Sequence, residues 1–304
     1  MRRVKVTLPG TITNLGTGLY ALGLAVALHT TIEVSERTDS LLNVETTGED
    51  AGRYPLGIRH PVILGMSRIF QRLERSVVGI NVRIDNHIPT ALGLGVETAF
   101  FVGGMIAANN LFGSPFKRAE LLQIASKVTG RADQAVTSMV GGLTSSTLIG
   151  NNVIYRSFTL APMKVVLVLP QLPDYVENTR GAVPDAPPMR DALHNLSRLP
   201  LLVEALKSGD LAFAGKVMDD RLFAPYRIAH IPGYEDVVEV AQLNGAASVS
   251  LCGSGPTLLA LAANHHQKIA EAITHTFEDA GVTAKTWIVP IDTQGIVLSV
   301  AQTG

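Results

Sequence analysis

Apolar and polar residues alternate in two N-terminal segments, 3–8 and 30–36, and this period of two predicts β-strands. The same kind of pattern predicts strands over 41–46 and 78–84. Between them, the 3.6-residue period of residues 61–72 predicts an amphipathic helix. The first part of the chain is therefore expected to form a sheet with helical crossings.

The segment 94–111 is apolar on nearly every side, which predicts a helix buried between layers rather than one that lies on the surface. It starts directly after a glycine-bearing loop. A further helix is expected over 119–128, before Gly130, and strands over 142–149 and 153–158.

Near residue 160 the pattern starts a new unit. We expect a strand over 164–169, a proline-rich loop over 170–188, helices over 190–207, 210–222, 235–243 and 266–280, and strands over 247–252, 257–262, 284–289 and 295–300. Strands and helices mixed in this way favour an α+β fold, not a doubly wound parallel sheet. Because 304 residues exceed the usual size of one core, we predict two domains, 1–159 and 160–304.

Composition narrows the class of partner. The formal net charge is −1 and charged residues make up 17% of the chain, so there is no electrostatic footprint for nucleic acid or for an anionic membrane. The apolar stretch 19–28 is about half as long as a spanning helix requires. A single cysteine, Cys252, fits a reducing cytoplasm, and no Cys/His spacing suggests a metal site; His265 and His266 are expected to be solvated. A small molecule is the expected partner.

Three glycine-bearing loops carry the strongest chemical signals: 9–23, 89–95 and 252–257. The second leads into the N-terminus of the buried helix, where backbone N–H groups and the helix dipole favour an anion. A tight turn that binds nothing fits that loop equally well when it is considered alone. Three such loops, each at the end of a strand or helix, favour a composite binding cleft.

In this order, these loops resemble those of the GHMP small-molecule kinases, and in particular the homoserine kinases. The resemblance runs from about residue 3 to 300 and is carried by Asn14 with Gly16, Gly18, Leu22 and Gly23, by 93–95, by 130–133 before 141–143, and by 195–198, 220–222, 225–227, 231–233 and 253–257. It implies an N-terminal ribosomal-protein-S5-like β/α domain that holds ATP and a C-terminal ferredoxin-like α+β domain. It also implies threonine biosynthesis and a homodimer.

The resemblance assigns roles to individual residues. Substrate-binding positions are Asn14, Tyr20, Arg180, Arg221, Gly253 and Ser254; nucleotide-binding positions are Gly93, Leu94, Gly95, Val96 and Glu97; catalytic positions are Arg131, Asp133 and Glu97. Two arginines suit a carboxylate substrate, because a guanidinium fork binds a carboxylate bidentately. Alternatively, each arginine caps a helix end or lies on the surface.

Several of these positions depart from the family pattern. Tyr20 replaces an aspartate that grips the amino group of homoserine, and Val96 and Glu97 replace two serines. Thr129 replaces the glutamate that ligates magnesium. Arg131 replaces a histidine, and Gln134 replaces an asparagine.

These departures leave alternatives open. Glu97 either occupies the anion site itself, stabilised by the helix dipole, or serves as a relocated magnesium ligand. Arg131 could act as a fixed cation, and Asp133 is either a base or a structural cap. The first hypothesis is an ATP- and magnesium-dependent kinase acting on the hydroxyl of homoserine or a related small hydroxy acid. The second is a pseudokinase, or an ATP-independent enzyme, that binds a small carboxylate or phosphate metabolite.

Overall fold

The computed structural model describes residues 2–49, 51–75, 79–90 and 93–302. Within these residues, the first sheet has seven strands: β1 (Arg2–Leu15), β2 (Gly18–Glu36), β3 (Leu42–Gly48), β4 (Ile80–Asn86), β5 (Leu143–Ile149), β6 (Asn152–Phe158) and β11 (Val297–Gln302). The described part of the second sheet has four: β7 (Lys164–Pro170), β8 (Ser248–Leu251), β9 (Leu258–Leu261) and β10 (Ala284–Pro290).

The helices follow the same division. On the first sheet lie α1 (Pro61–Leu73), α2 (Val96–Leu111), α3 (Arg118–Thr129) and α4 (Ala132–Val140). With the second sheet come α5 (Tyr175–Asn178), α6 (Met189–Ser208), α7 (Leu211–Val217), α8 (Ala224–Ile228), α9 (Tyr234–Leu243) and α10 (His266–Asp279).

The first sheet has the order β11-β1-β2-β4-β3, and β5 pairs with β2 and then with β6. The second sheet is antiparallel, in the order β10-β7-β9-β8. The predicted boundary at 159/160 falls in the connection between β6 and β7. However, β11 comes from the last residues of the chain and pairs with β1, so the second half contributes a strand to the first sheet. The boundary itself stays a prediction.

The helix α2 lies in the core, as its apolar sequence predicted. Nearly all of its side chains are buried, including Phe100 and Met105. Gly104 packs against the backbone of Val62 in α1, where a Cβ atom would collide with the Val62 carbonyl. This close approach fixes α2, and with it the loop that precedes it.

The α+β fold predicted from the sequence is confirmed, with local differences. The segment 9–23 is not a loop: β1 and β2 run through it as a long hairpin, and the turn is limited to Gly16 and Thr17. Most of these residues are buried, since their alternating β-branched and apolar side chains face the core. The expected strand over 78–84 starts partly outside the described residues, and β4 begins at Ile80.

Four helices differ from the prediction. The nine-residue α4 and the short α5 and α8 were not predicted, and the helix expected over 210–222 ends at Val217. It ends there because the Asp220 carboxylate accepts hydrogen bonds from the backbone N–H groups of residues 222, 223 and 224, which starts a new turn. In the part of the chain that the structure describes, no helix is both long and apolar enough to cross a membrane.

Candidate functional site

The tip of the β1–β2 hairpin is tied to the loop after β8. The Gly253 N–H donates to the Thr13 carbonyl at 2.7 Å, and the Asn14 Nδ2 donates to the Gly253 carbonyl at 3.2 Å. The Tyr20 N–H donates to the Asn14 Oδ1 at 3.1 Å. Asn14 and Tyr20 both have a φ of 55°, which asparagine tolerates and tyrosine rarely adopts. Two predicted substrate residues are thus held beside the predicted glycine loop.

The loop before α2 packs on the same two elements. The Thr11 N–H donates to the Leu94 carbonyl at 2.9 Å. Gly93 and Gly95 have φ values of 113° and 68°, and a side chain would collide with the Cys252 carbonyl at the first and with the Thr11 hydroxyl at the second. Glycine is therefore required at positions 93 and 95, both by conformation and by space. Residues 91 and 92 of the predicted loop lie outside the described residues.

A cavity of about 470 Å³ opens at the N-terminus of α2. Gly95 caps the helix without a side chain, so the N–H groups of the first turn remain open to an anion. Of the predicted nucleotide and catalytic residues, the cavity wall includes Gly93, Gly95, Val96, Glu97 and Arg131, and it also includes Ser254. The structure brings together the loop before α2 and the loop after β8, as predicted.

Glu97 lies in the first turn of α2 with an exposed side chain. Its Oε1 accepts a hydrogen bond from the Tyr54 hydroxyl at 3.2 Å. The Tyr54 ring packs edge-on against His60 and Phe100, with centroid distances of 5.7 and 5.5 Å. The carboxylate is thereby held at the cavity wall, towards the segment before α1.

Several side chains that the sequence analysis did not assign to the site also line this cavity, among them Thr98, Gln134, Arg53 and Arg68. The Thr98 hydroxyl donates to the Gln134 Oε1 at 2.7 Å and joins α2 to α4. In the sequence, Thr98 could have been found as a site residue because its hydroxyl directly follows Glu97 in the first turn of the helix. Arg53 and Arg68 add exposed cations to the wall.

Arg131 and Asp133 form a close ion pair at the start of α4. The Arg131 Nε donates to the Asp133 Oδ1 at 3.0 Å, and its Nη2 donates to the Asp133 Oδ2 at 2.7 Å. The same Nη2 also donates to the Thr13 hydroxyl at 2.8 Å. The side chain of Asp133 is 1% exposed and that of Arg131 is 19% exposed. Both oxygens of Asp133 are therefore used to hold Arg131.

Tyr20 completes this group. The Arg131 guanidinium carbon lies 4.8 Å from the centroid of the Tyr20 ring, in cation–π geometry. Tyr20 is 58% exposed. It also contacts Asn14, so a single cluster links Asn14, Tyr20, Arg131 and Asp133. We call these four residues the hairpin cluster.

The two predicted carboxylate-binding arginines, Arg180 and Arg221, are both exposed, and their role in binding a carboxylate stays a prediction. Arg180 is exposed in the turn after α5. The Arg221 Nε lies 3.5 Å from the Asp219 Oδ2, and its side chain is 54% exposed. No contact in the described part of the chain joins Arg221 to Arg180 or to the glycine loops.

A third arginine, Arg227, lies next to the turn that carries Arg180. Its Nη1 donates to the hydroxyl of Thr179, the neighbour of Arg180, at 2.7 Å. Burial raises the pKa of Tyr175 to about 12, and the nearby Arg227 cation opposes that shift. The Tyr175 hydroxyl donates to the Ser254 carbonyl at 3.0 Å, so Arg227 lies beside the loop after β8. Among the described residues, the buried Arg227 Nε has no hydrogen-bond partner. The triplet 225–227 was the sequence signal for it.

A second, smaller cavity of about 280 Å³ lies on the other side of the hairpin tip. Asn14, Gly253, Asp219 and Asp220 contribute to its wall. The Asp220 carboxylate also accepts from the Asn195 Nδ2 at 2.7 Å, in addition to the three backbone N–H groups described above. Asp220 therefore has a structural role.

Metal ligands are sparse. Within the described residues, there is no group of three or more His, Cys, Asp or Glu side chains that could hold a metal ion. Cys252 is fully buried, and burial raises the pKa of its thiol, as expected for a residue that packs rather than reacts. A metal at the larger cavity would have to be held by Glu97 together with a bound ligand.

Comparison with known proteins identifies the family. Models of the GHMP kinase N-terminal domain and the GHMP kinase C-terminal domain match residues 62–142 and 202–279. A homoserine kinase from Moorella thermoacetica is 34% identical over 278 residues, which cover 91% of this chain and 93% of that protein. The chain belongs to the GHMP kinase family. Within that family it is homoserine-kinase-like.

Two further comparisons agree with this assignment. A homoserine kinase from Desulfitobacterium hafniense is 31% identical over 96% of this chain and 98% of its own length. The crystal structure of homoserine kinase from Cytophaga hutchinsonii has the same fold, with a TM-score of 0.85 over 98% of this chain and 97% of that chain, at 23% identity. The predicted GHMP kinase fold is confirmed. The roles of individual site residues stay predictions.

Proposed function

We propose that this protein catalyses ATP-dependent phosphoryl transfer to the hydroxyl group of homoserine or a closely related small hydroxy acid in the cytoplasm. The observation that carries the proposal is the larger cavity. It places the uncapped N-terminus of α2, the Arg131 cation and the loop after β8 around one space. Similarity to homoserine kinases over more than nine-tenths of the chain supports the same reaction.

The phosphate groups of ATP would lie at the N-terminus of α2. The first-turn N–H groups and the dipole of this 16-residue helix attract anions, and Gly95 offers no side chain that would compete. Arg53 and Arg68 add positive charge at the wall. The Tyr54 hydroxyl holds Glu97 to one side, which leaves the helix axis open.

Arg131 is the residue we assign to the transferred phosphoryl group. Its Nε and Nη2 are fixed by Asp133 and Thr13, whereas its Nη1 has no hydrogen-bond partner among the described residues. A cation whose position is set in advance stabilises the charge that develops during phosphoryl transfer. In this assignment Asp133 is a positioning residue, because both of its oxygens already accept from Arg131.

The donor set of the cavity fits magnesium in the way that this ion is usually bound, through one or two carboxylates together with substrate phosphates. Glu97 supplies the carboxylate, since its Oε2 accepts no bond from a described residue. When bound with nucleotide, magnesium neutralises charge on the phosphate oxygens.

The acceptor would bind between the hairpin cluster and the loop after β8. Arg227 and Arg180 suit its carboxylate, because the buried Arg227 Nε has no partner in the described structure and a guanidinium binds a carboxylate bidentately. In the reaction, the acceptor hydroxyl oxygen bonds to the γ-phosphorus while the bond to the departing ADP oxygen breaks. The hydroxyl proton passes to water.

The test is ADP formation by the purified protein with ATP, magnesium and homoserine, coupled to detection of the phosphorylated acceptor. We expect turnover, and we expect Arg131→Met to lower kcat by about 100-fold, as loss of a preorganised charge does. Asp133→Asn should lower kcat less, because it loosens Arg131 without removing it. Absence of nucleotide binding by calorimetry in the unaltered protein would refute the proposal.

A further inference from the structure

The acceptor side of the cleft is rich in cations. Arg131 faces the Tyr20 ring. Arg227 lies beside the loop after β8, and its hydrogen-bond partner Thr179 directly precedes Arg180. A carboxylate would be drawn to these groups. An ammonium group would need a compensating anion, because desolvating a charge without a partner is costly.

Two carboxylates near the larger cavity are already engaged. Asp133 lies beneath Arg131, is 1% exposed, and gives both oxygens to that guanidinium. Glu97 is at the nucleotide end, at the N-terminus of α2, and accepts from Tyr54. Neither is available to a cation that lies beside Tyr20.

The carboxylates of the smaller cavity are engaged as well. Asp220 accepts from three backbone N–H groups and from the Asn195 amide. Asp219 lies 3.1 Å from the His194 Nε2 and 3.5 Å from the Arg221 Nε. Of the described side chains that line the two cavities, these two and Glu97 are the ones that carry a carboxylate.

The uncharged groups of the hairpin cluster do not replace the missing anion. The Asn14 Oδ1 already accepts from the Tyr20 N–H, and its Nδ2 donates to Gly253. One face of the Tyr20 ring is stacked on Arg131 at 4.8 Å. An ammonium group at this place would find no free anion, because the nearby Asp133 carboxylate is already paired with Arg131.

Tyr20 lies where the two cavities approach each other. It contacts Arg131, which lines the larger cavity, and Asn14, which lines the smaller one. An acceptor that reaches from one cavity towards the other would therefore pass close to the Tyr20 ring. The hairpin cluster thereby determines which charge on that part of the acceptor is tolerated.

We propose that the preferred acceptor is a small hydroxy acid that carries a carboxylate but no ammonium group where it meets Tyr20. This inference rests on the proposed phosphoryl transfer and narrows its substrate class. Tyr20 and Arg131 together are the specificity determinant: they present an aromatic ring and an already paired guanidinium, and neither offers a free anion to an ammonium group.

The experiment compares L-homoserine with γ-hydroxybutyrate, the same molecule without the amino group, as acceptors for ATP in the presence of magnesium. We expect kcat/KM for γ-hydroxybutyrate to exceed that for homoserine by about tenfold or more, since a desolvated ammonium group without a free partner anion is costly. A higher kcat/KM for homoserine would overturn the inference and leave the proposed kinase function intact.

Matched variants test whether charge is the cause. Tyr20→Asp and Tyr20→Asn are both short and both tolerate the left-handed backbone at φ 55°, so they differ in charge alone. We expect Tyr20→Asp to shift the preference towards homoserine by at least about tenfold relative to Tyr20→Asn, since a carboxylate pairs with the ammonium group. Equal preferences in the two variants would also overturn the inference.

Binding separates this inference from the kinase proposal. Each acid is titrated calorimetrically into the protein saturated with a non-hydrolysable ATP analogue. Tighter binding of γ-hydroxybutyrate in this titration, combined with no turnover of either acid in the assay with ATP, would support the acceptor selectivity and refute the kinase function. Tighter binding of homoserine would refute the selectivity, whatever the turnover.

Discussion

His60 is a single residue whose protonation should affect the whole fold. It is fully buried, its Nδ1 accepts from the Val62 N–H at the start of α1, and burial lowers its pKa to about 4. Its Nε2 has no partner in the described structure. The unfolded chain has the ordinary pKa near 6.5 and therefore binds the proton more readily between pH 6.5 and 4. The free energy of unfolding should fall as the pH falls through that window.

The variant His60→Asn isolates this effect. Asparagine retains an acceptor for the N-terminus of α1 but cannot titrate. Urea denaturation at pH 7.5 and 4.5 should show a smaller loss in the variant, by on the order of 2–3 kcal/mol if the full pKa difference is expressed. Equal losses in both proteins would assign the acid sensitivity to other groups.

At the scale of residues, the sequence was most informative where backbone conformation restricts the choice. Gly93, Gly95 and Gly253 have positive φ values and little or no room for a Cβ atom, which explains the glycines there, while their roles in binding stay predictions. It was least informative for long side chains. Arg221 and Arg227 differ by six positions, and the contacts of Arg227 depend on Thr179 and Tyr175, which are distant in sequence. Contacts between residues that are distant in sequence leave no local sequence pattern from which they could be predicted.

At the scale of elements, the N-terminus of α2 is the place where Glu97 must be either a phosphate mimic or a metal ligand. The bond from Tyr54 holds the carboxylate at the cavity wall, and we therefore expect a ligand role. Glu97→Gln keeps an acceptor for Tyr54 and removes the charge. It should weaken binding of magnesium-ATP by about tenfold or more, the usual scale for a disturbed metal site.

The same variant should bind ATP more tightly when the metal is removed with a chelator, because the carboxylate no longer repels the phosphates. Calorimetry with and without magnesium measures both effects. If Glu97→Gln bound magnesium-ATP more tightly than the unaltered protein, the carboxylate would be a phosphate mimic. The double change Val96→Ser with Glu97→Ser would then strengthen nucleotide binding as well.

Most elements could be predicted because their periodicity is strong. The helices α1, α2, α3, α6, α9 and α10 follow from their apolar patterns. The helix α4 could not be predicted, because it has nine residues, its N-cap residue Arg131 makes no side-chain cap, and the helix depends on packing. The hairpin segment 9–23 was interpreted as a loop because its glycines and threonines are typical of turns. This segment forms two paired strands instead, because most of its side chains are buried in the core.

At the scale of the whole molecule, the two sheets share one hydrophobic core. The main cluster contains residues of the first sheet such as Val6 and Leu24 together with Val165 and Leu167 of β7. The strand β11 returns to pair with β1, and the His29 Nε2 lies 2.7 Å from the Asp292 Oδ2 across the junction. Because burial couples both halves, neither should retain its structure after the other unfolds.

The single tryptophan, Trp287, tests this coupling because it lies on β10 in the second sheet, opposite Leu167. Its fluorescence reports that sheet, whereas far-ultraviolet circular dichroism reports both. The two urea transitions should coincide, and Phe277→Ala, in the core cluster remote from the first sheet, should shift both equally by about 3–5 kcal/mol. A fluorescence midpoint that moves alone would mean that the second sheet unfolds independently of the first.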